Sequence, residues 1–150
     1  MIAYHLSIKI GDLFDGKYHV IGQIGNGSYG DVYKVLDHKG EVYALKVLRL
    51  WEIMGDLHEG LIRRFEQEYK VMRISSEYLV HSLDFGTVQG NPFILMEYCP
   101  KGDLSKFISQ DSSKIALYAC DILQGLYALH REGKVHRDLK PENVLLRQNG

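Results

Sequence analysis

Cysteine is scarce. Cys99 and Cys120 are the only two in 150 residues, too few for a disulfide framework, and neither has a His or Cys neighbour at metal-ligand spacing. A reducing compartment is the default reading, and a cytoplasmic location follows from it. Proline is almost as rare, and Pro92, Pro100 and Pro141 stand apart, so no proline-rich tract exists and each acts as isolated punctuation. No apolar run approaches the roughly 18 to 20 residues that cross a bilayer. The first ten residues, MIAYHLSIKI, lack the basic start and small-residue cleavage site of a secretory leader. The stretch therefore reads as soluble, without a membrane span. Neither sign of charge dominates: 18 Lys+Arg stand against 19 Asp+Glu, a net charge of −1. A sequence pI near 6.6 argues against a chain that coats nucleic acid or an acidic membrane by electrostatics, and no nucleic-acid partner is expected.

What remains is an ordinary globular composition, with 45% hydrophobic residues, enough at this length to bury a core. The first hundred residues read as short strands at Tyr18 to Ile24, Val32 to Leu36, Glu41 to Leu48, Leu79 to Phe85 and Phe93 to Tyr98. Asp37-His38-Lys39-Gly40 supplies a hairpin turn between the second and third. A helix fits Leu61 to Ile74, because Leu61, Phe65 and Met72 share one face. A second helix fits Ser113 to Glu132, with Asp111, Ser112 and Ser113 as N-cap candidates and Ile115, Ala119, Ile122 and Leu126 as its apolar stripe. The change from a strand-rich half to a helical one falls near Pro100 to Asp103, so two lobes are expected. Gln148-Asn149-Gly150 is a hairpin signal with a preceding strand, Val144 to Arg147, and no returning one. The C-terminus therefore reads as a truncation.

Gly25-Asn26-Gly27-Ser28-Tyr29-Gly30 spells G-x-G-x-x-G, which a chain with 15 glycines produces by chance about 0.15 times. Context decides its meaning. A dinucleotide-binding fold needs a helix directly after the glycines, whereas Asp31 to Leu36 is strand-like. What remains is a glycine loop between two antiparallel strands, whose bare backbone can lie against a polyphosphate. Lys46 is predicted on the same strand face as Val42, Ala44 and Leu48, and Glu68 lies on the apolar face of the first helix. Two opposite charges among apolar neighbours are tolerable when they pair with each other or with a ligand. Glu66 is the rival partner for Lys46, but it points to a more polar face.

His136-Arg137-Asp138-Leu139-Lys140-Pro141-Glu142-Asn143 carries the most information, since H-R-D-x-K-P-x-N arises by chance about once in a million chains of this composition. This stretch resembles the catalytic loop of the protein kinase family, and Lys140 is similar to its serine/threonine branch. Gly25 to Val32 and Tyr43 to Lys46 match the family's glycine-loop and lysine motifs in the same order. The resemblance covers nearly all of residues 15 to 150. It implies an α+β, protein-kinase-like architecture: residues 1–14 as an N-terminal extension, 15–99 as a five-stranded antiparallel lobe with one helix, and 100–150 as the beginning of a mainly helical lobe, with ATP between the lobes.

The resemblance also implies roles and cofactors, ATP and Mg²⁺. Asp138 would take the proton of a protein Ser/Thr hydroxyl, Lys140 would neutralise the transferring phosphoryl group and Asn143 would hold Mg²⁺. Gly25, Gly27 and Gly30 would cover the phosphates, and Lys46, fixed by Glu68, would grip the α- and β-phosphates. Val32, Ala44 and Leu145 would plate the adenine, with Met96 as gatekeeper and the backbone of Glu97 and Cys99 binding the ring edge. Arg137 would receive an activating phosphate, and His136 reads as a histidine that shapes the loop. Asp103 has two open readings, a contact to ribose or a basic substrate and a plain N-cap.

Asp84-Phe85-Gly86 spells the family's second metal motif but stands upstream of Asp138, so it reads as a strand end with a turn glycine. The true D-F-G position would lie past Gly150, and little or no phosphoryl transfer is expected from residues 1–150 alone. An open apolar face on the second lobe should leave such a chain poorly soluble or dependent on a partner, a regulatory one included. A catalytically inactive nucleotide-binding or scaffolding module is the alternative reading, and a small-molecule phosphotransferase the third.

Overall fold

The computed structural model describes residues 2–107 and 111–148. It contains two units, Met1–Lys70 with Ser82–Tyr98, and Val71–His81 with Cys99–Gly150. In the first unit six antiparallel strands form one sheet: β1 (Leu13–Phe14), β2 (Tyr18–Asn26), β3 (Gly30–Leu36), β4 (Val42–Leu48), β5 (Ser82–Val88) and β6 (Asn91–Glu97), in the order β1-β2-β3-β4-β6-β5.

Five of these are expected from the sequence. The sixth, β1, is only two residues long, below the length at which alternation can be read. An Asp-Gly turn makes it possible: Asp15 and Gly16 both take left-handed backbone (φ 50° and 64°), and Lys17 N–H donates to the Phe14 carbonyl at 3.0 Å. Phe14 is then buried and meets Phe93 edge-on at 5.1 Å. The strand expected over Leu79 to Phe85 lies three residues later. Gln89 and Gly90, with φ of 51° and 80°, form so tight a turn that β5 and β6 run to Val88 and resume at Asn91.

The turn after β3 forms as its residues dictate. Asp37 Oδ1 accepts from the amides of Lys39 and Glu41 at 2.8 and 2.9 Å, while Gly40 (φ 82°) supplies the left-handed step. One face of the sheet carries the core: Tyr18, Val20, Tyr33, Val35, Leu45, Val47, Phe93 and Leu95, with Phe14. Alternation puts the next residues of β3, β4 and β6 on the other face. There Val32 is opposite Lys46, Lys46 opposite Ile94, and Ala44 opposite Met96. Helix α1 (His58–Val71) starts after two short 3₁₀ turns, Leu50–Glu52 and Gly55–Leu57. Its buried Phe65 and its Tyr69 stack on Phe85 of β5, at 6.2 and 5.0 Å.

The second unit is built on α2 (Ser112–Arg131), capped by Asp111, whose side chain accepts from the Ser113 amide at 2.9 Å. Gly125 of α2 lies so close to Tyr78 that an added Cβ would sit 2.9 Å from the Tyr78 carbonyl oxygen. Ile115, Leu117, Leu123 and Tyr127 of the same helix are exposed. The expected strand Val144 to Arg147 is reduced to one bridge, Leu145 to Asp103. Its partner bends away at Gly102 (φ 75°), and the two segments are joined by Leu146 N–H to the Gly102 carbonyl and Leu104 N–H to the Val144 carbonyl, both 2.8 Å, and by Lys101 N–H to the Leu146 carbonyl at 3.3 Å. The Asn149-Gly150 turn lies outside the described residues. No helix among the described residues is long and apolar enough to cross a membrane.

Candidate active site

In the first unit, Lys46 is on the sheet face opposite the core, among Val32, Ala44, Ile94 and Met96. Its Nζ lies 2.5 Å from Glu68 Oε1 and 5.8 Å from the Phe65 ring centroid. Glu66, the rival partner, is exposed on another side of α1. The pairing follows from helix geometry, since Phe65 is anchored on Phe85 and Glu68, three residues on, emerges on the same face. Ala44 and Met96 are buried and Val32 half-buried. Together these side chains form an apolar surface around one ammonium group. Glu97 ends β6.

The glycine loop connects β2 and β3. Gly27 N–H closes it on the Gly30 carbonyl at 2.8 Å. A Cβ at Gly30 would lie 2.5 Å from the Val47 carbonyl oxygen, and one at Gly25 3.3 Å from Val32 Cβ. Glycine is therefore required at Gly30 by the closeness of β4. Sequence reasoning missed one side chain on this loop. Arg49 Nη2 donates to the Gly27 carbonyl at 2.7 Å, and its Nε lies 3.6 Å from Asp31 Oδ2. Asp31 is buried, and Tyr33 Oη reaches its Oδ2 at 3.4 Å. Burial first, then the Asp31 charge, pushes the Tyr33 phenol up to about 12. The available signal was Asp31 itself, a carboxylate in phase with Tyr33 and Val35 on a buried strand face, which calls for a cation.

In the second unit, Asp138, Lys140 and Asn143 come together. Asn143 Nδ2 donates to the Asp138 carbonyl at 2.8 Å and to Asp138 Oδ2 at 3.1 Å, and Lys140 Nζ lies 3.6 Å from the same Oδ2. Asp138 keeps 70% of its side chain exposed, so its carboxylate is open to a reactant. The loop folds this way because Pro141 starts a 3₁₀ turn, Pro141–Asn143, that brings Asn143 back over Asp138. Arg137 takes left-handed backbone, φ 64°, and Asp138 N–H donates to His136 Nδ1 at 3.3 Å. His136 thus holds the loop's backbone. Cys99 is buried and its carbonyl accepts from Gly102 N–H at 3.2 Å, while Leu145 is exposed at the bridge to Asp103. Asp103 caps the 3₁₀ turn Leu104–Lys106 by accepting from the Ser105 amide at 3.0 Å. Hydrogen bonds from Ser105 hold its carboxyl below the usual range.

Asp84-Phe85-Gly86 lies within β5. Asp84 accepts from Tyr18 Oη at 3.2 Å, and an added Cβ at Gly86 would be 2.8 Å from the Phe93 ring. These are packing roles. No group of three or more His, Cys, Asp or Glu side chains that could hold a metal exists among the described residues.

An antiparallel sheet with a lysine–glutamate pair and a glycine loop, together with the Asp138–Lys140–Asn143 cluster, defines a protein-kinase fold. The family model for the protein kinase domain matches residues 18–150, and the chain belongs to that family. The Drosophila melanogaster serine/threonine-protein kinase hippo is 35% identical over 141 residues, 89% of this chain and 20% of its own length. Serine/threonine-protein kinase 4 homolog B of Dictyostelium discoideum is 33% identical over 141 residues, 89% of this chain and 12% of its own. A kinase-domain crystal structure superposes with a TM-score of 0.78 at 26% identity, over 96% of this chain and 44% of that one. The chain spans a fifth or less of the length of these two curated relatives.

Proposed function

We propose that these residues form the nucleotide-binding and catalytic-loop part of a serine/threonine protein kinase, which transfers the γ-phosphate of ATP to a protein hydroxyl. The Lys46–Glu68 contact of 2.5 Å carries the reading, because it fixes a cation on an apolar face where a polyphosphate can meet it. Lys46 binds the α- and β-phosphates under the loop of Gly25, Gly27 and Gly30. Val32, Ala44 and Met96 of the first unit contact adenine, and the backbone of Glu97 binds its edge.

In the second unit Asp138 orients the substrate hydroxyl and takes its proton as the oxygen attacks the γ-phosphorus. The bond from that phosphorus to the bridging oxygen breaks and ADP leaves with the electron pair. Lys140 stabilises the negative charge on the transferring group. The Asn143 amide donates to Asp138 through Nδ2, which turns its Oδ1 the other way, and an amide oxygen is a donor that Mg²⁺ accepts. The site fits an ion that keeps several waters and phosphate oxygens as ligands. Asn143 would hold Mg²⁺ there, and the ion would supply charge neutralisation on the phosphates.

The test uses the full-length protein with Mg·ATP and a generic protein substrate. Transfer to serine or threonine is expected, with a loss of about 10²- to 10⁴-fold in Asp138→Asn and unchanged nucleotide affinity. Transfer only to small alcohols or sugars overturns the protein-substrate assignment. Nucleotide binding without any transfer favours a scaffolding module.

A further inference from the structure

Arg49 joins three parts of the first unit. Its Nη2 donates to the Gly27 carbonyl at 2.7 Å, its Nε faces Asp31 Oδ2 at 3.6 Å and its Nη1 lies 3.4 Å from Glu52 Oε2. Its own backbone amide donates to the Tyr29 carbonyl at 2.8 Å. Both the side chain and the main chain of one residue thus hold the tip of the glycine loop. The Arg49–Asp31 pair is well shielded, since 18% of the Arg49 side chain and 9% of Asp31 are exposed, so water competes weakly for that anchor; the hydrogen bond to the Gly27 carbonyl is exposed.

The side from which Arg49 approaches matters. Asp31 is opposite Val47, which belongs to the core face, whereas Lys46 is opposite Val32 on the other face. The guanidinium therefore pulls the Gly27 carbonyl toward the face that does not carry Lys46. In a planar trans peptide the carbonyl and the following N–H point in opposite directions. Drawing the Gly27 oxygen one way turns the Ser28 N–H the other way, toward the face of Lys46. A glycine loop by itself has no such preference, because glycine samples both hands of backbone at similar cost.

We propose that Arg49 is a positioning residue for phosphate binding: anchored on Asp31, it holds the glycine loop in the one orientation that presents the Ser28 amide on the Lys46 side of the sheet. The proposal rests on the nucleotide-site reading above and adds to it the group that sets the loop. Arg49 touches no substrate atom; it acts through the Gly27–Ser28 peptide. It should therefore matter for ligands with phosphates and not for the base and sugar alone.

The experiment titrates the full-length protein with Mg·ATP and, separately, with adenosine. Arg49→Met should weaken ATP about tenfold, the scale of one charge-assisted hydrogen bond, while adenosine stays within about twofold. Arg49→Lys keeps a charge near Asp31 but lacks the planar fork that reaches two partners, so ATP affinity should fall by an intermediate factor with adenosine again unchanged. Asp31→Asn, which frees the guanidinium, should move the ATP-to-adenosine ratio in the same direction. Equal loss of both ligands would mean that Arg49 serves only to keep the unit folded, and an unchanged ATP affinity would mean that the loop needs no anchor; either result overturns the proposal. If Arg49→Met does not fold, Arg49→Lys decides by the same ratio. Wild-type protein that binds neither ligand overturns the nucleotide-site reading itself, an outcome separate from the other two.

Discussion

Lys46 of β4 and Glu68 of α1 meet with their charged atoms 2.5 Å apart, although 22 residues separate them in the chain. The two side chains remain 31% and 41% exposed. An ion pair that wet contributes no more than about 1 kcal/mol to stability. Its consequence lies in where it holds the ammonium group, not in how tightly it holds the fold. Lys46→Met is therefore expected to lower phosphoryl transfer by the full-length protein about a hundredfold or more, and Glu68→Gln by a smaller factor. Both should leave the thermal unfolding midpoint within a few degrees of wild type. A large drop in that midpoint with transfer preserved would show the pair to be structural.

Gly30 tests how closely the glycine loop is bound to β4. Alanine there places a Cβ 2.5 Å from the Val47 carbonyl oxygen, against backbone that cannot swing aside, whereas at Gly27 the nearest atom is 3.3 Å away. Gly30→Ala should cost about 1–3 kcal/mol, and Gly27→Ala clearly less, as read by chemical denaturation. Equal costs would contradict the close approach of the strands.

Asp84 distinguishes packing from catalysis in the upstream Asp-Phe-Gly. Its carboxylate accepts from Tyr18 Oη at 3.2 Å. Asp84→Asn should cost about 0.5–1.5 kcal/mol and leave transfer within about twofold. A loss of several orders of magnitude would instead make Asp84 a metal ligand.

Alkaline titration tests the burial of two tyrosines, Tyr18 and Tyr33. Burial, with Asp84 beside Tyr18 and Asp31 beside Tyr33, pushes both phenols from 10.0 up to about 12. A group with a raised folded pKa stabilises the fold fully below its unfolded pKa. The stability that these two contribute is therefore complete below about pH 10 and is lost as the pH rises toward 12. Tyrosinate absorbance should show Tyr18 and Tyr33 ionising well above pH 10, together with loss of the β signal in circular dichroism. Ionisation of Tyr18 and Tyr33 near pH 10 with the fold intact would contradict their burial.

Much of the site was legible because its chemistry is local in the chain. Asp138, Lys140 and Asn143 lie within six residues, so a single 3₁₀ turn brings them together. The hairpin turn at Asp37 to Gly40 lies where the sequence places it, and the alternation in β4 correctly puts Ala44 and Lys46 on one face. The strand Leu13–Phe14 was not legible, since its only signal is the Asp15-Gly16 turn and the reward for forming it is Phe14 meeting Phe93.

Sequence alone determined the family, the order of the motifs and the residue types that phosphoryl transfer needs, because these depend on spacing along the chain and on side-chain chemistry. Only the tertiary structure decided between Glu68 and Glu66 as the partner of Lys46, settled Asp84 on Tyr18, and joined Arg49 to Gly27 and Asp31. Each of those choices depends on which faces of distant elements pack together, and that is set by the burial of apolar surface over the whole unit, a sum that no short window of sequence contains.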